Sequence, residues 1–143
     1  SKGTMTVTLY ATEAPTAVNN FVILASLGFY DGTPVNEVTP EQALIMGAPE
    51  NVPDSDAGYY FNGELNSTRT WNLGALAFLP AQNPLTGELV SNSSQMLIAL
   101  IAPPAEATAQ LSFFGEVVGG VDVLTSLVNG DTIEEVRVIA GAQ

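Results

Sequence analysis

Three apolar runs of strand length, at residues 73–79, 95–101 and 111–118, constrain this chain most. None shows the alternation of a half-exposed strand, so each reads as a central strand buried on both faces. Pro- and Asn-rich connections at residues 80–94 and 102–109 separate them. Upstream, Met5, Val7 and Leu9 alternate with Thr6, Thr8 and Tyr10, the period of a strand with one buried face. Pro15 suits a first helical turn, Val18, Phe21, Val22 and Ala25 fall at helical spacing, and Gly28 is placed as a stop, so a helix is predicted over 15–27. Two short strands at 33–38 and 43–46, separated by Pro40, come next, and the Pro- and acid-rich stretch 48–58 reads as a surface loop. A second short helix begins after Gly119-Gly120 and stops before Asn129-Gly130, and a last strand is predicted over 132–139. This order, with few helices and antiparallel-compatible connections, predicts a mainly β fold closed into a barrel and capped by helices, which hides its sheet edges.

The 143 residues fit a single domain over 1–143, and 46% hydrophobic with 13% charged residues is a globular composition. Fifteen acids oppose three bases, Lys2, Arg69 and Arg137, for a net charge of −12, which disfavours nucleic acid and anionic lipid as partners. The chain holds no Cys or His, which removes thiol nucleophiles, Ser-His catalysis and zinc sites built from those ligands. No metal or cofactor is expected. Asp54 and Asp56, with Glu50 and Asn51, lack EF-hand spacing and read as a solvated acidic loop rather than a calcium site. No apolar stretch approaches a membrane span. Ser1 in place of Met points to a longer precursor with an upstream signal, anchor or linker, which favours an extracytoplasmic or envelope-anchored setting over a cytoplasmic one. Sequons at Asn66 and Asn92 would accept glycans only in a compartment that glycosylates.

Residues 3–10, Gly-Thr-Met-Thr-Val-Thr-Leu-Tyr, then Ala14-Pro15, Val18-Asn19-Asn20-Phe21 and Gly28-Phe29-Tyr30-Asp31-Gly32-Thr33, follow a known N-terminal pattern almost position by position. In these residues the chain resembles cyclophilins, the barrel-shaped peptidyl-prolyl isomerases. Asn92-Ser93-Ser94-Gln95 resembles the family's Asn-Gly-Ser-Gln turn, and residues 114–124 resemble its Phe-Gly-Xaa-Val-Xaa-Xaa-Gly-Xaa-Asp-Val segment. The resemblance covers roughly residues 3–139. It implies a closed antiparallel β-barrel of about eight strands capped by two α-helices, and a protein or peptide partner.

The family's active-site motif, Phe-His-Arg-Xaa-Xaa-Pro-Gly-Phe-Met-Xaa-Gln-Gly-Gly-Asp, falls on residues 35–48, where Pro40 and Gly47 are kept. Glu37 stands at the catalytic arginine, Gln42 and Ala43 at the pocket Phe and Met, and Ile45 at the glutamine. Leu97 replaces the pocket Phe, Glu106 the Trp and Leu111 the His. Val35 and Gln95 complete the pocket equivalents. No catalytic residue is retained, while Ala43, Ile45, Leu97 and Leu111 keep a shallow apolar floor. The leading expectation is therefore a cyclophilin-like domain that has lost isomerase chemistry and serves as a protein-binding or structural accessory module. The alternatives are a weakly active isomerase of X-Pro bonds, and a domain whose acidic surface recruits a basic partner or copies of itself. Glu37 reads as an exposed or half-exposed carboxylate before a general acid or base, Asn92-Ser93-Ser94 as a capped turn, and Trp71 with Tyr59-Tyr60 as packing over a barrel end before a contact surface.

Overall fold

A computed structural model describes residues 2–50, 56–65, 70–103 and 111–139. The strands are β1 (Thr6–Leu9), β2 (Val35–Thr39), β3 (Ala43–Met46), β4 (Tyr60–Phe61), β5 (Ala75–Gln82), β6 (Leu89–Ala99) and β7 (Ser112–Gly119). Helix α1 (Pro15–Ser26) follows β1, and helix α2 (Val121–Ser126) follows β7. The strands form one antiparallel sheet in the order β1-β7-β5-β6-β3-β2, with β4 also paired to β6.

Helix α1 buries Ala17, Val18, Phe21, Leu24 and Ala25, the one-sided stripe its spacing predicts. It ends in a Schellman motif: Phe29 N–H donates to Leu24 O at 3.0 Å and Gly28 N–H to Ala25 O at 3.1 Å, with Gly28 at φ +75°. The buried face of the helix meets the main-core side of the sheet through rings. Phe21 lies 5.4 Å from Phe114, which stacks on Phe78 at 4.5 Å. Alternation along β5 and β6 sends Leu76, Phe78, Met96 and Ile98 into this main core, and on β7 Phe114 and Val117, three apart, both join it across the register shift at Leu76–Ala77. The opposite face carries a smaller cluster of Ala75, Ala99 and Phe113, with Tyr10, Trp71 and Leu97 packed on it. The central runs are thus covered on both sides.

Four expectations from sequence are corrected. Among the described residues the sheet has seven strands and no ladder joins β1 to β2, so its path is not closed as the expected barrel would be. The stretch 132–139 is not a strand. It makes one bridge, Pro34 with Thr132, and backbone hydrogen bonds between residues 32–35 and 130–133. Beyond that Ile133 and Val136, three apart, both pack on the main core, and Val136 N–H is taken by Asp31 Oδ1 at 2.9 Å, so the segment abandons period-2 pairing. The third correction concerns residues 80–94, which are not a connection. β5 and β6 continue through them as a hairpin whose tip closes with Asn83 N–H on Glu88 O at 2.9 Å. Pro80 is tolerated because the ladder shifts register between Phe78 and Pro80. Fourth, Asn92-Ser93-Ser94 lies inside β6 rather than in a connecting turn, although Asn92 does make the expected side-chain to backbone hydrogen bonds there.

Candidate functional site

Five residues from five strands stand opposite one another in a single row. Glu37 on β2 pairs with Ile45 on β3, Ile45 with Leu97 on β6, Leu97 with Ala77 on β5, and Ala77 with Phe113 on β7. Cross-strand partners share a face, so the row crosses the outer face, away from the main core. Ala43, paired with Thr39 and Ala99, lies one step along it. Glu37 is exposed, Ile45 and Leu97 are half-buried, and Ala77 and Phe113 are buried. The Phe113 end is covered by rings, with Trp71 tilted at 4.3 Å and Tyr10 edge-on at 5.4 Å. The row is therefore apolar and open at its Ile45–Leu97 end, with a carboxylate at its rim.

The other residues expected to line a pocket do not all reach this face. Gln42 is exposed on the β2–β3 turn, and Leu111 is buried two positions before Phe113. Val35 is 1% exposed and belongs to the main core, so it does not stand on the outer row. Gln95 is buried in a bulge of β6, where residues 92–95 face Leu79 alone between the Ser91–Pro80 and Met96–Phe78 pairs. Glu106, Asn51, Asp54 and the Asn66 sequon lie outside the described residues. Asp56 accepts Gly58 N–H in its own loop at 2.7 Å and Asn92 Nδ2–H from β6 at 3.4 Å.

The bulge is held by side chains. Asn92 Oδ1 accepts the N–H groups of Ser94 and Gln95, each at 2.9 Å. The Ser94 hydroxyl donates to Gly47 O at 2.7 Å, and Asn20 Nδ2 donates to Ser93 O at 2.7 Å. Tyr59 donates its hydroxyl to Asn20 Oδ1, and the buried Tyr30 hydroxyl donates to Ser94 O at 3.2 Å. Burial, and then Tyr59 beside it, push the Tyr30 phenol far above its ordinary value, so it remains a donor. This network ties the helix, the end of β3 and the bulge into one rigid corner beside the row.

None of the five strands in the row contains Lys or Arg. Lys2 is paired with Asp131 at 2.7 Å and Arg137 with Glu135 at 3.0 Å, both outside those strands. The row offers apolar contact and hydrogen-bond acceptance at Glu37, and no charged donor. Ala77 and Phe113 as its far half were missed by sequence reading; the signal available was their place at alternate positions of apolar runs.

A mainly β chain with one antiparallel sheet, helix α1 on its main-core face and this outer row has the arrangement of a cyclophilin-like fold. The family described as "Cyclophilin type peptidyl-prolyl cis-trans isomerase/CLD" matches residues 1–141, and the chain belongs to it. Peptidyl-prolyl cis-trans isomerase B of Bacillus subtilis is 32% identical over 131 residues, covering 91% of this chain and 87% of that protein. Peptidyl-prolyl isomerase CWC27 of Mycosarcoma maydis is 33% identical over 134 residues, but the chain spans only 26% of that protein's length. A Cryptosporidium parvum cyclophilin type peptidyl-prolyl cis-trans isomerase, crystallised in the presence of the dipeptide Ala-Pro, superposes with a TM-score of 0.77 at 23% identity, covering 89% of this chain and 80% of that one.

Proposed function

We propose that this chain is a cyclophilin-like domain that docks a protein or peptide segment without isomerising its X-Pro bonds. The observation that carries the reading is Glu37 at the rim of the outer row, at the position where the family motif reads arginine. Isomerisation crosses a barrier of about 18–20 kcal/mol set by amide resonance. A guanidinium lowers it by donating to the prolyl carbonyl and nitrogen as the bond twists, stabilising that state above either planar one. A carboxylate offers only acceptors and the opposite charge, so Glu37 repels the carbonyl oxygen that a guanidinium would hold. The half-buried Ile45 and Leu97 still offer a proline ring an apolar seat.

A second reading, weak isomerase activity, is favoured by that same apolar seat, because a less polar environment suits the twisted amide. Exchange NMR on Ala-Pro peptides separates the two, comparing the natural chain with Glu37→Arg after both are shown to fold. No acceleration by the natural chain, with line broadening that reports binding, supports the docking reading. Acceleration well above the uncatalysed rate that is unchanged in Glu37→Arg overturns it.

A further inference from the structure

A cleft of about 670 Å³ opens between the β2–β3 turn and helix α2, walled by Val38, Pro40, Leu100, Leu127 and Val128, with Glu41 at its margin. It is not the outer row. Val38 and Glu37 are neighbours on β2 and point to opposite faces, and Val38, Leu100 and Leu127 pack against the main core. Its volume is in the range of pockets that hold a small ligand, room enough for a short peptide segment.

The turn makes the charge at this cleft unusual. Gln42 N–H donates to Thr39 O at 3.0 Å, which leaves Pro40 and Glu41 as the two central residues of a tight turn. Glu41 has φ +64°, a conformation that glycine fits and side chains rarely adopt; the family motif reads Pro-Gly here. A glutamate is therefore carried where the backbone does not favour one, and no ion pair or side-chain hydrogen bond among the described residues uses its carboxylate. Across the cleft, the Ser126 carbonyl already accepts an ammonium group, from Lys2 at 2.8 Å. A chain of net charge −12, whose Lys2 and Arg137 are both paired to acids, leaves the Glu41 side of this apolar cleft complementary to an incoming cation.

We propose that the cleft docks a segment of a partner protein in which a large apolar side chain is flanked by Lys or Arg. The apolar side chain enters between Val38, Leu100 and Leu127, and the cation meets Glu41. This surface is separate from the outer row, so the proposal does not rest on the loss of isomerase activity.

The test titrates proline-free capped peptides, Ac-Ala-Leu-Lys-Lys-Ala-NH2, its Glu-Glu counterpart and its Leu→Ala counterpart, into the 15N-labelled chain. The expected result is that the Leu-Lys-Lys peptide alone shifts the amides of Val38, Glu41, Leu100 and residues 125–129, more weakly as salt rises. Glu41→Gln, which keeps the turn and removes the charge, weakens it by about threefold. Val128→Ser, at an exposed wall position, weakens it without touching the core. Equal binding of the Glu-Glu or Leu→Ala peptide, shifts centred on Ile45 and Leu97, or no shift at millimolar peptide each overturns the proposal.

Discussion

Glu64 caps helix α1 at Thr16 from 48 residues away: its Oε2 accepts the Thr16 N–H at 2.9 Å, and its Oε1 accepts that of Ala17 at 3.1 Å. The residue before the helix, Ala14, has no side-chain acceptor, so the first turn would otherwise leave these donors to water. Glu64→Ala is expected to destabilise the fold by about 1 kcal/mol, the usual value of an N-cap, measured by urea denaturation. An unchanged midpoint would show that the cap contributes nothing.

The same contact has a pH dependence. Partial burial pushes the Glu64 carboxyl up, but the Thr16 hydroxyl and the N–H groups of Thr16, Ala17 and Glu64 itself together outweigh it and hold the group below its ordinary value. A carboxyl lowered on folding contributes stability that is fully present above its unfolded value, about 4.3, and is lost as pH falls through the folded value. The difference in stability between the natural chain and Glu64→Gln is therefore expected to shrink steadily below about pH 4.3. A difference that grows on acidification would reverse the sign and refute the assignment.

Asn92 holds the β6 bulge through two buried backbone donors, so Asn92→Ala leaves the N–H groups of Ser94 and Gln95 without their acceptor. The expected cost is about 2–4 kcal/mol, from two orphaned groups. Thermal unfolding checks it, and a loss within experimental error would mean that water takes over both bonds.

Gly47 is fixed from two directions. Its φ is +99°, and a Cβ there would lie 2.0 Å from Ser94 O. Gly47→Ala is expected to cost about 3 kcal/mol or more, combining left-handed strain with overpacking against backbone. Soluble expression at the natural level with an unshifted melting temperature would contradict this.

The chain's one Trp packs on Phe113 at the covered end of the outer row, in the same cluster as Leu97. Binding of an Ala-Pro peptide on that row is expected to shift Trp71 emission, and Leu97→Asp to remove the shift. Peptide binding seen by calorimetry with Trp71 emission unmoved would place the peptide elsewhere.

Glu41→Gly is expected to stabilise the fold by up to about 1 kcal/mol, because glycine takes the positive φ without side-chain strain and loses part of that gain to unfolded-state entropy. A lower urea midpoint would show that the turn carries no strain.

Much of the fold was legible locally. The stripe of Val18, Phe21 and Ala25 with Gly28 marks α1 to within a residue, and the runs at 73–79 and 111–118 mark the centres of β5 and β7. Legibility fails where a local breaker is absorbed by pairing. Pro80, Asn92 and Ser93 look like loop residues, yet Pro80 sits at a register shift and Asn92 supplies its own bulge with acceptors. It fails again at 132–139, where an apparent strand alternation yields to Ile133 and Val136 packing on one core.

Composition alone settled that this chain carries no His or Cys side chain, and the motif pattern alone supplied the proposal that Glu37 stands where the family motif reads arginine, since both are read from residue type. Which residues meet was decided only by the tertiary structure. The row from Glu37 to Phe113 depends on how five strands are offset. The bulges at residues 36 and 92–95 and the shift at Leu76–Ala77 set those offsets. One residue of slip turns a side chain to the other face. Val35, close in sequence to Glu37, is turned into the core by such a shift, and Glu64 reaches Thr16 only because the chain returns to the helix. Local periodicity carries no information about such offsets, because hydrogen bonds between distant segments fix them.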